Sequence, residues 1–381
     1  MTCFEVKKDQ IGSDSMRWEG VENHERTPLW VADTDFVPPD EVAKALDRVV
    51  RGGMFSYVKP PEELKFLIKE SCAIRYNWTI QTEWLVFIPS VMNAINVAFQ
   101  ALLPQNSGVI TSTPCFGKIT KSVIYSGRQL IEIPMYQQAD RWLWDLDLLE
   151  SKAKQAKMIV LCHPHNPTGA VLPHEQLKRL AEIVNQHKLI VCSDEVHCDT
   201  LFNHHTKHLP FAAIDSAAAQ RTLTLMSPAK AYNLAGINAG VAIIPNLKMR
   251  QQFVQHLATI APHVGGFGYH AMFSAYKHGE HWLEQQQAYL KQNLALLVEG
   301  LKDIREITFI PPQASFLVWL DVRGLQLNNP AHWFEQAGLT ISPGEDFGAP
   351  GFVRVNIGVH RETLALAIDK LRNVILRRQQ K

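Results

Sequence analysis

Three polar residues follow three short apolar runs, and their chemistries fit together. After residues 158–162 (MIVLC) comes His163-Pro164-His165-Asn166-Pro167-Thr168-Gly169. After residues 189–192 (LIVC) comes Ser193-Asp194-Glu195-Val196-His197, and after residues 223–226 (LTLM) comes Ser227-Pro228-Ala229-Lys230. Asn166 and Asp194 are 28 residues apart, and Asp194 and Lys230 are 36 apart. Singly, each is commonplace: Asn-Pro-Thr-Gly is most often a turn, an Asp at a strand end is often a helix cap, and most lysines are solvated. Together they suit one chemistry. A lysine ending an apolar strand can form a Schiff base with a carbonyl. A carboxylate beside it can hold a pyridine nitrogen protonated, the partner that pyridoxal phosphate requires. An amide side chain can hydrogen-bond a phenolic oxygen.

The elements that would position these groups are legible. The three runs, with 84–88 (WLVFI) and 241–244 (VAII), are short, continuous and rich in branched residues, as strands buried on both faces are. Residues 173–188 put Leu177, Leu180, Ala181 and Val184 at helical spacing behind a proline in the first turn. Strand, amphipathic helix, strand is a βαβ unit with parallel pairing. In open α/β sheets ligands bind beyond the carboxyl ends of the strands, so Asn166, Asp194 and Lys230 are expected on one rim. The C-terminal part differs: a helix over 282–305, strands at 316–320 and 352–357, and a last helix over 361–377 predict a smaller α+β unit. The N-terminal segment, with a helix at 41–50, is expected to pack on it. The predicted division is 1–50 as an N-terminal arm of the small domain, 51–284 as the large domain, and 285–381 as the rest of the small one.

The 381 residues are 46% hydrophobic and 20% charged, which excludes disorder over most of the chain. Lys+Arg is 38 and Asp+Glu is 37, so there is no global basic footprint for nucleic acid. No apolar stretch has the length of a membrane span, and the opening MTCFEVKKDQ does not read as a signal peptide. Cys3, Cys72, Cys115, Cys162, Cys192 and Cys198 form no C-x-x-C pair and read as reduced thiols of a cytoplasmic protein.

The order Asn-Pro-x-Gly, Asp-x-x-Tyr/His, Ser-x-x-Lys and a late Arg, here Asn166, Asp194, His197, Ser227, Lys230 and Arg354, resembles the fold-type-I pyridoxal-phosphate enzymes, the aspartate aminotransferase superfamily, over nearly the whole chain. Trp30-Val-Ala-Asp-Thr-Asp-Phe36, then Phe55-Ser-Tyr57 before Pro60-Pro61, resembles the opening of the MalY/PatB group of cystathionine β-lyase-like C–S lyases. His197, where the superfamily commonly has Tyr, and Asn238, where many aminotransferases have Arg, agree with that group. The resemblance implies a large domain with a mostly parallel seven-stranded sheet covered by helices, and a smaller α+β domain from both termini. It implies pyridoxal 5'-phosphate as cofactor, with Lys230 and Asp194 catalytic: Lys230 would hold the cofactor and Asp194 face its ring nitrogen. Asn166 and His197 would bond the ring oxygen, and Phe116 would stack on the ring. Ser227 and the backbone of Val91 and Met92, at a helix start that suits anions, would take the phosphate, although Ser90 stands where the family usually has Gly. Tyr57 would come from the partner of a homodimer.

Arg354 sits in 352–357 (FVRVNI), where alternation separates it and Asn356 from Val353, Val355 and Ile357; its planar guanidinium suits a substrate carboxylate, which Asn166 would also help to hold. The resemblance implies an L-cysteine S-conjugate such as cystathionine as substrate, yielding a thiol, pyruvate and ammonia, with an aminotransferase or a regulatory binding protein as alternatives. Partners are expected to be small amino acids, with no nucleic acid and no membrane. Three look-alikes are set aside. Asp346-Phe347-Gly348 lacks the other kinase motifs, and Ser227-x-x-Lys230 lacks the companions of a penicillin-recognising site. The Cys and His residues at 162–165 and 192–198 match no standard zinc spacing, so no metal is expected.

Overall fold

The computed structural model describes Phe4 and residues 8–23, 25–202 and 207–379; Cys3 lies outside the described residues. Its strands in chain order are β1 (Thr27–Pro28), β2 (Leu85–Ile88), β3 (Gly108–Thr113), β4 (Gln129–Gln138), β5 (Arg141–Trp144), β6 (Ala156–Cys162), β7 (Ile190–Asp194), β8 (Thr222–Met226), β9 (Gly240–Ile243), β10 (Leu317–Asp321), β11 (Leu339–Thr340), β12 (Ser342–Pro343) and β13 (Phe352–Asn356). The central sheet has the order β2-β9-β8-β7-β6-β3-β4-β5. Its middle is parallel, from β4 through β3, β6 and β7 to β8, as the βαβ reading predicts. β9 runs antiparallel to both its neighbours. The strands β2, β3, β6, β7 and β8 therefore share a direction, and their carboxyl ends form one rim.

Eight strands are present where the resemblance implied seven. β4 pairs with β3 only up to Pro134, and its far end turns back as the antiparallel strand β5. Trp142 and Trp144 of β5 are buried, and that burial favours the extra hairpin over a solvated loop.

The sheet is apolar on both faces because its strands alternate between two cores. Ile159 and Leu161 of β6 enter one, while Met158 and Val160 enter the other. The helix His174–His187 buries Leu177, Leu180, Ala181, Ile183 and Val184, with Pro173 at its N-cap. A third core gathers Leu29, Phe36 and Val42 from the N-terminal segment with Leu290, Leu294 and Leu297 of the helix Glu280–Leu301, Val353 and Val355 of β13, and Leu364 and Leu371 of the helix Arg361–Gln379. The small sheet, β10-β13-β12, presents Arg354 between Trp319 and Ser342. Among the described residues no helix is long and apolar enough to cross a membrane.

Candidate active site

A cavity of about 350 Å³ opens at the rim of the central sheet. Asn166, Asp194, Ser227 and Lys230 line it from the ends of β6, β7 and β8; Ser90, Val91 and Met92 line it from the end of β2, and Phe116 and Lys118 from the end of β3. His197 and Asn238 complete its polar lining.

Lys230 Nζ donates to the carbonyl of Ala32 at 2.5 Å. Burial pulls its pKa down to about 8, against the opposing pull of Asp33 and Asp194. Near neutral pH the amine is thus neutral far more often than a surface lysine. Asp194 accepts from the backbone N–H of Val196 at 3.2 Å. Burial lifts its carboxyl to about 6, with that hydrogen bond and Lys230 opposing the rise. Both groups are held with their charged forms under-solvated, the condition in which a bound partner of complementary charge is most strongly favoured.

Arg354 does not itself line the cavity; it stands behind Asn166. Its Nη1 donates to Asn166 Oδ1 at 3.0 Å, and its Nη2 donates to the Trp30 carbonyl at 2.7 Å and to Ser342 Oγ at 3.1 Å. The guanidinium lies 4.8 Å from the Phe347 ring centroid, and Nε is buried without a partner. Burial brings its pKa down to about 10. Because Asn166 Oδ1 accepts from Arg354, its Nδ2 faces the cavity as a donor. The kinase-like triplet thus contributes a ring beneath the arginine.

Ser90 is the N-cap of the helix Val91–Leu102, with Oγ accepting from Asn93 N–H at 3.1 Å. Its φ of −161° is extended backbone, so the usual glycine is not required here. The cap uses the Asn93 donor and leaves the N–H groups of Val91 and Met92 to the cavity. Ser227 Oγ donates to the Ala239 carbonyl at 2.6 Å and accepts from Ala229 N–H at 3.2 Å. His197 is buried beside Ser315, Nδ1 to Oγ 3.2 Å, and burial with the nearby Lys230 and Arg354 charges lowers its pKa to about 3. It is therefore neutral, and if Ser315 donates to Nδ1, Nε2 carries the hydrogen. Two of the expected site residues do not line the cavity: Arg354 stands behind Asn166, and Tyr57 is 97% exposed.

Sequence reading missed the groups that act through their backbone. Residues 30–36 cross the site without regular structure. Arg17, 2% exposed, donates through Nε to Asp33 Oδ1 at 2.7 Å, through Nη1 to Asp35 Oδ1 at 2.6 Å, and through Nη2 to the Asp33 carbonyl. Asn233 holds the carbonyls of Thr34 and Phe36, and Asn356 those of Val31 and Asp33. The only trace of this strap in the sequence is the motif itself.

Several known proteins are similar to this chain. PatB of Bacillus subtilis, a cystathionine β-lyase, is 29% identical over 97% of this chain and 98% of its own. The crystal structure of OvoB matches with a TM-score of 0.94 and 36% identity, over 97% of this chain and 98% of that one. Cystalysin from Treponema denticola, whose crystal structure contains pyridoxal 5'-phosphate, matches with a TM-score of 0.94 and 26% identity over 99% of both chains. Residues 29–371 match the aminotransferase class I and II family, and the chain belongs to it.

Proposed function

We propose that this protein is a pyridoxal-phosphate-dependent C–S β-lyase that cleaves an L-cysteine S-conjugate, such as L-cystathionine, to a thiol, pyruvate and ammonia. The residues present fit the cofactor. Asp194 is a buried carboxylate with room for a further donor, as a ring N–H would be. Val91 and Met92 N–H groups at a helix start, with Ser227 nearby, suit a phosphate. Phe116 and Val196 supply apolar walls, and Asn166 Nδ2 a donor for a ring oxygen. Bound there, the cofactor would supply an electron sink for charge developing at the substrate Cα.

The chain's residues do the rest. Asn166, with the Arg354 guanidinium behind it, holds the substrate α-carboxylate and orients the Cα–H bond. Lys230, neutral often enough because burial lowers its pKa to about 8, accepts the Cα proton at Nζ. Asp194 accepts a hydrogen bond from the ring nitrogen and keeps that proton in place. The Cβ–S bond then breaks with its electron pair leaving on sulfur, a Cα–Cβ double bond forms, and the resulting 2-aminoacrylate takes up water to give pyruvate and ammonia. Tyr57, whose side chain is almost wholly exposed, reaches the cavity of a second copy in a homodimer. Met54 and Phe55 beside it are 78% and 68% exposed, and Phe55 stacks on Phe267, which makes this face apolar.

The observation that carries the lyase reading is the seating of the 30–36 strap. The segment that resembles the C–S lyases gives its Ala32 carbonyl to Lys230 and its Trp30 carbonyl to Arg354. Incubation with L-cystathionine tests the proposal. Pyruvate formed without a keto acid is the expected result. Dependence on a keto-acid acceptor would make the chain an aminotransferase, and the absence of either reaction would favour a binding role.

A further inference from the structure

Lys118 stands at the cavity rim, exposed to solvent. It lines the cavity, and its charge reaches Lys230. Among the described residues no ion pair or side-chain hydrogen bond engages it. Asp194 is the only carboxylate among the lining residues, and it faces the cavity floor beside Lys230.

The position of Lys118 is fixed by backbone packing. It is the second residue of the helix Gly117–Tyr125. A Cβ on Gly117 would meet the Asp346 carbonyl oxygen at 2.1 Å, so only glycine lets this helix start so close to the turn Gly344–Phe347. Two residues before Gly117, Cys115 N–H donates to the Phe347 carbonyl at 3.0 Å, tying the same strand end to that turn. Phe347 is the ring under Arg354. The backbone of Lys118 is thus anchored at the turn that carries Phe347, the ring beneath Arg354.

The order of strands along the rim separates this end from the phosphate end. Ser90 follows β2 and Ser227 follows β8, with only β9 between those strands. Asn166 follows β6 and Lys118 follows β3, which are neighbours at the other side of the cavity. With the α-carboxylate at Asn166, backed by Arg354, the Lys118 cation remains for a second anion on the same substrate.

We propose that Lys118 is a specificity-determining residue that selects conjugates whose sulfur substituent carries an acid group, a carboxylate or an equivalent anion. The inference rests on the proposed amino-acid site and names the class of leaving group that it takes. Rim charge of this kind sets which ligand is preferred more than it sets total affinity.

The test uses two ligands without a sulfur, so that binding is read whether or not C–S bonds are cleaved. These are L-2-aminoadipate, which matches S-carboxymethylcysteine with CH2 in place of sulfur, and its terminal amide. Their dissociation constants for the holoenzyme are measured by the change in cofactor absorbance. Wild-type protein should prefer the acid by about tenfold, the scale of one well-placed charge contact. Lys118→Met should bring the ratio near one, and Lys118→Arg should restore most of the preference. Equal binding of both ligands by the wild type, or a preference that survives in Lys118→Met, overturns the inference. Cofactor retained after dialysis is measured on the same samples. A fall in retention with the acid preference intact would assign Lys118 to the cofactor phosphate and also overturn it. Failure of the lyase reading would show instead as missing pyruvate, which these constants do not involve.

Discussion

The rim of the central sheet and the strap over it, residues 30–36, meet at the same lysine but are built differently. On the rim, side chains face the cavity and strands position them: Asn166, Ser227 and Lys230 follow buried apolar strands and Asp194 ends one, and their spacing is set by βαβ geometry. On the strap, backbone carbonyls make the contacts, and side chains elsewhere position them. Arg17, Asn233 and Asn356 hold it by hydrogen bonds to its carboxylates and carbonyls rather than by any ladder. The rim gains its precision from a core that would have to unfold to move. The strap depends on a few buried polar groups, each costly if left alone. Damage to the rim should therefore appear mainly in turnover, and damage to the strap mainly in stability and substrate affinity.

The largest effect expected on the rim short of removing Lys230 is that of Asp194→Asn. The amide cannot hold the ring-nitrogen proton, and kcat should drop roughly a hundredfold or more with cofactor still bound. Near-normal kcat in the folded variant would remove Asp194 from this role. The same variant carries a pH signature. The Asp194 carboxyl is raised in the fold to about 6 from its ordinary 3.8. A raised acid contributes stability that is full below its unfolded pKa and lost as pH rises through the folded one. Cofactor-free wild type should therefore lose melting temperature relative to Asp194→Asn as pH rises from about 4 to about 6; parallel curves would contradict the burial argument.

On the strap, Asn356→Ala should unfold at lower temperature, by roughly 1–3 kcal/mol in stability, because two part-buried carbonyls lose their donor. Thermal melting checks this, and the Michaelis constant should rise more than kcat falls. A variant with wild-type stability but low kcat would blur the distinction between the two regions. The smallest effect is expected at Tyr57→Phe, which removes one hydroxyl. If Tyr57 serves a second subunit, mixing Tyr57→Phe with Lys230→Ala should raise activity above the sum of the two homodimers, since one mixed site then carries neither defect. No gain on mixing would remove Tyr57 from the site of a second subunit.

The same contrast explains what the sequence revealed. The rim was legible because runs such as MIVLC and LIVC have the length and branching of buried parallel strands, and functional side chains sit directly after them. Arg354 was legible from alternation along β13. The strap was visible only as a motif, since carbonyls of Trp30 and Ala32 carry no side-chain signature. Ser315 reaches His197 across 118 residues, a contact that no local pattern encodes. The β4–β5 hairpin was hidden because Pro134 and the polar residues of 129–144 break a clean strand period. Lys118 gave no signal, for its place is set by a close approach at Gly117 that only three dimensions reveal.

The central claim is that the buried amine on the rim carries the cofactor, and borohydride reduction followed by peptide mapping tests it most directly. The purified protein should be yellow, lose that colour on reduction, and yield one peptide with the reduced pyridoxyl group on Lys230. A modified peptide containing a different lysine, or no modified peptide from a folded and cofactor-supplied protein, would contradict the account.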